Sequence, residues 1–212
     1  KERISNLSNY AMCNARRAAQ EPGLAEAVGL FETSLQQMDE ALAFYKENLP
    51  ETEAHYYEAL RRKGKILQIR NDRLSAEGSP DEAVECYRSY IGYQCRTLTP
   101  ELLSMDSSMR EQRWLKLHNF LYDACRVGRE DPGMVYDLVL FSKGYLLELA
   151  HNQAAPDVHW QEVQQALGPE ACALEFVEYF GRNDEKRLGC LVLRKGDVRP
   201  SFIDVAAVAD VM

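Results

Sequence analysis

The chain has 212 residues, which is enough for one large domain or for one and a half ordinary ones. With 46% hydrophobic and 27% charged residues, its composition is that of a folded globular protein and excludes a disordered chain. The net charge of −8 disfavours nucleic acid as a partner, because an acidic surface repels phosphates.

No membrane partner is expected either, because the longest apolar stretch, Leu138 to Phe141, is far too short to cross a bilayer. The six cysteines lie at positions 13, 86, 95, 125, 172 and 190, and no two of them have the CxxC spacing of a zinc or redox site. We therefore expect reduced thiols in a cytoplasmic protein without a metal or cofactor. The chain begins with Lys1 and stops soon after a strand-like segment, which indicates a piece of a larger protein.

Up to about residue 150, apolar residues recur in steps of three and four between helix breakers, as in amphipathic helices. Pro50 ends the first clear pattern, and Ser75 to Ser79 is a polar loop. The expected helices of this part run over Ala25–Asn48, from Thr52 to about Asn71, and over Pro80–Tyr93.

Thr99-Pro100 is expected to break the chain before a further helix, Ser108–Arg126. Asp131-Pro132-Gly133 is expected to form a turn. The next helix, Met134–Ala150, is apolar around most of its circumference, which predicts packing on several sides.

After Pro156 and a short helix, Val158–Leu167, the period changes to that of strands. Three short apolar runs separated by Gly- and Asp-containing turns predict an antiparallel meander: Ala171–Phe180, Arg187–Lys195 and Ser201–Val205. Because such a sheet has a free edge, we expect the preceding helices to cover it or a second copy of the chain to pair with it.

The predicted fold is therefore mainly α (α+β). Antiparallel helical hairpins over residues 1–152 precede a short helix and a three-stranded antiparallel meander over residues 153–212, with the boundary near Asn152 to Pro156. The basic run Arg61–Lys65 lies within a helical pattern and is expected to be a solvated face.

One segment repeats within the chain. Asp39–Tyr45 aligns with Asp81–Tyr87 at an offset of 42 residues, and both read Asp-Glu-Ala, an aliphatic residue, two others and Tyr. A small Ala allows two helices to approach closely, and the Tyr one turn later fills the groove beside it. The Asp-Glu pair is expected in the first helical turn, where it favours the helix dipole.

These segments resemble the second helix of a tetratricopeptide repeat. That resemblance implies stacked helical hairpins that bind a protein or peptide partner. Because the offset exceeds the usual period of about 34 residues, it also implies longer or irregular repeats.

Four later blocks occur in a characteristic order: Tyr136–Glu148, Trp160–Leu167, Ala173–Tyr179 and Leu191–Lys195. Together they resemble the entry into a CHAT domain, a caspase-like peptidase module that often follows tetratricopeptide repeats. The resemblance covers roughly residues 134 to 205. It implies a catalytic Cys-His dyad beyond the strands seen here.

No catalytic residue is assigned within the chain. The His of the family typically precedes a Gly, and none of the four histidines here does so. Cys125 in Asp123–Gly128 superficially resembles a caspase signature, but it lies in a helical pattern, two turns and roughly 10 Å from His118. Lys143 is expected to reach solvent or a carboxylate, and Trp114 and Trp160 to pack in the core.

The leading hypothesis is thus a non-catalytic interaction scaffold of tetratricopeptide type, taken from a larger protein with a CHAT module. The alternative is the N-terminal portion of a caspase-like cysteine peptidase whose dyad lies downstream.

Overall fold

A computed structural model describes residues 2–48, 54–74, 80–151, 158–181 and 185–210. The chain divides into two compact units, Lys1–Tyr93 and Gln94–Met212. Its architecture is mainly helical with a three-stranded antiparallel sheet near the C-terminus, as the sequence predicts.

The first unit is built from antiparallel helices. The sequence pattern located α2 and the start of α4 closely, put the end of α3 a few residues early, and did not delimit α1. The four helices are α1 (Glu2–Gln20), α2 (Leu24–Asn48), α3 (Ala54–Leu74) and α4 (Pro80–Leu103), of which residues up to Tyr93 belong to this unit.

Consecutive helices run in opposite directions. The Ser34 hydroxyl of α2 donates to the carbonyl of Ala11 in α1, and the Tyr45 ring of α2 stacks on His55 at the start of α3. The Tyr87 hydroxyl of α4 donates to Gln68 of α3. The result is two helical hairpins, α1–α2 and α3–α4, which confirms the predicted hairpin arrangement.

Small residues allow the first hairpin to pack tightly. Ala11, Ala15 and Ala18 form a fully buried stripe on α1, in one core cluster with Phe31 and Met38 of α2. Alanines at steps of three and four let two helix axes approach closely, and the large side chains of α2 fill the remaining space.

The repeated segments occupy equivalent environments. Ala41 and Ala83 are buried, and so are the tyrosines one turn later, Tyr45 and Tyr87. The dipole argument holds for only one copy. The second Asp-Glu pair lies in the first turn of α4, whereas Asp39 lies in the middle of α2, so the expectation for the first pair is wrong.

Because Gly64 has no side chain, α4 can approach α3 closely at this position. A Cβ at this position would lie 3.0 Å from Cε2 of Tyr87 and 3.3 Å from the Cβ of Cys86. The Tyr87 ring is fully buried and hydrogen-bonded through its hydroxyl, so it has little room to move. Gly29 in α2 differs, because a Cβ there would meet nothing within 4 Å.

This contrast predicts opposite effects of the same substitution. Gly29→Ala should stabilise the protein by up to about 1 kcal/mol through helix propensity. Gly64→Ala has the same propensity gain, but crowding against α4 should reverse the sign and destabilise the protein by about 1 kcal/mol. Urea denaturation followed by circular dichroism at 222 nm measures both, and stabilisation by both variants would contradict the close approach.

In the second unit, α4 runs on to Leu103, so the break predicted at Thr99-Pro100 is wrong. Pro100 lies in the last turn of α4, which continues for three residues beyond it although the proline supplies no backbone N–H to the preceding turn. The chain instead turns after Leu103 and starts again at Asp106, whose carboxylate accepts from the Met109 N–H at 2.9 Å and caps α5 (Ser107–Cys125).

The turn predicted at Asp131-Pro132-Gly133 is wrong as well, because α6 already begins at Pro132 and ends at His151. Proline fits the first position of a helix, where its missing N–H has no partner to lose. Asp131 accepts from the Met134 N–H at 3.0 Å, and the turn itself lies just upstream, at residues 126–130.

The meander follows the short helix α7 (Trp160–Ala166) and matches the prediction within about two residues at each end. Its strands pair antiparallel in the order β1 (Cys172–Phe180), β2 (Lys186–Arg194) and β3 (Ser201–Ala207), with an irregularity between Leu188 and Gly189.

One face of the sheet packs on helices. Val177 and Leu191 from the strands share a buried cluster with Cys125 and Val135 from α5 and α6. Phe202 also reaches this core, because two glycines leave space for its ring. A Cβ at either Gly128 or Gly189 would lie 2.5 Å from the Phe202 ring.

The predicted boundary near Asn152 to Pro156 falls outside the described residues, and the division into residues 1–152 and 153–212 stays a prediction. The compact units separate between Tyr93 and Gln94, so α5 and α6 belong with the sheet that they cover. Among the described helices, none has the length and apolar character needed to cross a membrane.

Candidate functional site

The basic run of α3 is not the solvated face that the sequence predicted. The side chains of Arg61, Arg62 and Lys63 are only 13%, 28% and 15% exposed, and all three form ion pairs. These side chains lie where α3 packs against the neighbouring helices. The prediction of a solvated face is therefore wrong. Lys63 pairs with carboxylates of two other helices, whereas Arg61 and Arg62 pair with Glu58 of their own helix.

Two of these cations share one carboxylate. Arg61 donates to both oxygens of Glu58, through Nη2 at 2.7 Å and Nε at 2.9 Å, and Arg62 Nε donates to the same group at 3.2 Å. Burial alone would raise the pKa of Glu58, but the hydrogen bonds and charges of the two arginines outweigh it and hold the pKa below its ordinary value.

Arg62 also connects α3 to α1. Its Nη1 donates to the Ser8 hydroxyl at 3.1 Å and to the Asn9 side-chain oxygen at 2.8 Å. Farther along, Arg73 donates to the carbonyl of Glu21 at 2.7 Å. Arg73 follows Arg62 along the chain, and its partner Glu21 follows Asn9 in the same direction. The two helices α1 and α3 therefore run parallel and side by side, and they form one layer.

Lys63 connects α3 to the two remaining helices. Its ammonium lies 2.8 Å from the Asp39 carboxylate in α2 and 2.8 Å from the Glu82 carboxylate in α4. Burial acts to lower the pKa of Lys63, but the hydrogen bonds to both carboxylates outweigh burial and raise it. The acidic residues of the two repeated segments are therefore joined through one lysine.

This network fixes a layer whose outer side is exposed. On the side of α1 turned away from its buried alanines, Tyr10 is 63% exposed, the most of the large hydrophobic residues that the structure describes in the first unit. We define the α1/α3 face as the exposed side chains of α1 together with two partly exposed cations of α3: Asn6, Asn9, Tyr10, Cys13, Arg16 and Arg17, with Arg62 and Lys65.

The helices of the first unit differ in charge. In sequence, α1 has three basic residues against one acidic, and α3 has six against two, whereas α2 has one basic residue against five acidic. The layer of α1 and α3 is thus basic in a chain whose net charge is −8.

Cys125, whose segment superficially resembles a caspase signature, is a core residue in the second unit. Its side chain is buried among apolar groups, and this burial raises the pKa of the thiol to about 12. A nucleophilic cysteine needs the thiolate form and access to substrate, and Cys125 has neither. The side chain of His118, its nearest histidine in sequence, lies outside the described residues.

The described histidines have structural contacts. His159 Nδ1 lies 3.0 Å from Asp137 Oδ2, and the other oxygen of that carboxylate accepts from the Trp160 N–H at 2.7 Å. Asp137 therefore holds the start of α7 against α6.

Two further sequence expectations are confirmed. Lys143 reaches out of the apolar helix and pairs with Glu175 of β1. Trp114 is buried, and Trp160 packs against the core between the helices and the sheet. In the part of the chain that the structure describes, no group of three or more metal-ligating side chains occurs.

The thiols should differ in reactivity. Cys13 and Cys172 are exposed and should react with N-ethylmaleimide within minutes at pH 8, whereas Cys86 and Cys125 should react at least about tenfold more slowly. Burial raises the pKa of the Cys86 thiol to about 11 and that of Cys125 to about 12, so both remain protonated at pH 8.

Peptide mass mapping of the native chain measures these rates, and the urea-denatured chain serves as the control in which all six cysteines react. Labelling of Cys125 as fast as that of Cys172 would contradict its place in the core.

One apolar surface is not among the features predicted from the sequence. On the sheet face opposite the helices, Leu174 and Phe176 of β1 and Ile203 and Val205 of β3 are each about half exposed, with β2 between the two strands. The sequence of β2 indicated this surface, because the run Leu188–Leu193 contains no polar side chain and is therefore apolar on both faces of the strand. Such runs are typical of strands covered on both sides.

Comparisons with known proteins assign no family. No family model matches the chain, and neither curated proteins nor solved structures include a significant match.

Proposed function

We propose that this chain is a non-catalytic protein-protein interaction scaffold of tetratricopeptide type, part of a larger cytoplasmic protein with a caspase-like CHAT module. The observation that carries the proposal is the α1/α3 face, in which exposed side chains of α1 lie beside two partly exposed cations of α3. Hydrogen bonds from Arg62 and Arg73 hold the two parallel helices together.

A rigid layer of this kind suits peptide binding. The backbone of α1 is fixed by its buried alanines on one side and by Arg62 and Arg73 on another, so its outer side chains are held in register. A preorganised surface loses little entropy when a partner binds. Asn9 and its neighbours can hydrogen-bond a peptide backbone, and Tyr10 offers apolar area with one polar tip.

The CHAT part of the proposal rests on the second unit. The blocks that resemble the family lie on α6, α7, β1 and β2, which pack around one core. Helices followed by an antiparallel meander agree with the entry into such a module. In the alternative proposal the parent protein is an active peptidase, and this chain contributes binding surface to it.

The interaction proposal predicts position-specific cross-linking. The photoreactive residue p-benzoylphenylalanine is placed at Tyr10 in the full chain, and the matched control carries it at Leu24, which is similarly exposed at 58% but lies at the start of α2. In lysate from the source cells, the Tyr10 position should yield a discrete cross-linked protein that the Leu24 position does not.

Gel electrophoresis and mass spectrometry identify the products. The same products from both positions, or none from Tyr10, would overturn the proposal.

A further inference from the structure

The sheet has an apolar side that suits a second copy of the same chain. We define the open face as the side of the sheet turned away from α5 and α6, with four large apolar side chains: Leu174, Phe176, Ile203 and Val205. We infer that two copies of this chain pack their open faces together and form a symmetric dimer in solution. This surface belongs to the second unit, whereas the α1/α3 face belongs to the first.

The open face is apolar where a solvated sheet is polar. An antiparallel sheet with one side in water alternates apolar and polar residues along its strands, but the outward positions of β1 and β3 hold large apolar side chains that are 47% to 58% exposed. The core cluster shared with α5 and α6 contains none of these four. A contiguous exposed patch of this kind marks a contact surface.

The size of the open face determines how tightly two copies associate. Its strands have nine, nine and seven residues, so the face is about 14 Å wide and about 28 Å long. Two such faces bury on the order of 1,000 Å² once the relief of the side chains is included, which is the lower limit for a specific interface. This area suits a reversible dimer with a Kd on the order of 10 µM.

The order of side chains across the strands favours two-fold stacking. Phe176 and Ile203 both pair in register with Cys190, so the three residues form one row across the sheet. Cys190 in the middle is small and only 6% exposed, whereas the side chains on either side of it project farther. A two-fold axis along β2 places Phe176 of one copy on Ile203 of the other, with the two Cys190 side chains between these contacts.

Charged residues border the open face and oppose association at low salt. Lys186 and Arg194 are exposed at the two ends of β2, and Glu178 of β1 lies on the same side of the sheet. These three sum to one positive charge, and each whole chain has a net charge of −8, so both sets of charges repel a second copy. Because salt screens this repulsion, dimerisation should strengthen between 0.05 and 0.5 M NaCl.

Sedimentation equilibrium of the full chain between about 2 and about 200 µM tests the dimer, with a reductant present to prevent disulfides between exposed thiols. The weight-average mass should rise from 24.2 kDa toward twice that value. Phe176→Lys with Ile203→Lys should weaken dimerisation at least about tenfold, because stacking would bury the introduced ammonium groups.

The matched control is Leu115→Lys with Met109→Lys on α5. It makes the same change in charge at side chains that are 58% and 52% exposed, against 58% and 50% for Phe176 and Ile203. The control should keep the dissociation constant within about twofold, and circular dichroism checks that both double variants are folded.

A mass of 24.2 kDa at every concentration, or equal losses in the two double variants, would overturn the inference. A dimer that persists in Phe176→Lys with Ile203→Lys would overturn it in favour of pairing through a strand edge. Growth beyond the dimer would contradict a closed two-fold stack. Because the Tyr10 cross-link tests a different surface, the proposed scaffold stands or falls separately from the dimer.

Discussion

Lys63 lies between two carboxylates, Asp39 of α2 and Glu82 of α4, and the next residue, Gly64, allows α4 to approach α3. An ammonium group shared by two neighbouring helices ties them to the helix that bears it, and a missing Cβ permits that helix to be close enough for the contact. Arg62, one position earlier, reaches α1. Three consecutive residues of α3 therefore contact all the other helices of the first unit.

The basic residues Arg61, Arg62 and Lys63 have a structural role within the first unit. Glu58, Asp39 and Glu82 supply three carboxylates to these three cations. Lys63 joins α2 and α4 through its ion pairs, and Arg62 reaches α1 through hydrogen bonds. Arg16 and Arg17 of α1 are exposed and lie outside this set of contacts. A substitution at Arg16 can therefore leave the fold intact.

The sequence predicted the elements whose signal is local. The apolar period of α2 and the alternating strands with their turns gave boundaries close to those of the structure. The breaks predicted at Pro100 and Pro132 are wrong. Pro100 lacks the N–H that would bond to the preceding turn, yet α4 continues to Leu103. At Pro132 the same property favours the first helical position.

The candidate site could be predicted only in part. The repeat identified Ala41, Tyr45 and their counterparts as buried, but no local pattern shows that Lys63 meets carboxylates from positions 39 and 82. Whether a lysine on a helix is solvated or buried depends on which helix packs beside it. Only the tertiary arrangement determines this, so the sequence pattern led to the wrong prediction of a solvated face for the basic run.

The central claim, that Lys63 joins α2 and α4 through α3, is tested most directly by hydrogen-exchange mass spectrometry of Lys63→Met in the full chain. Methionine retains the apolar stem and removes the charge, and exposed Lys46→Met is the control. The account predicts faster exchange in peptides around Asp39 and around Glu82, with a loss of about 1 kcal/mol in unfolding free energy. Unchanged protection in both peptides, or a change confined to α3, would contradict it.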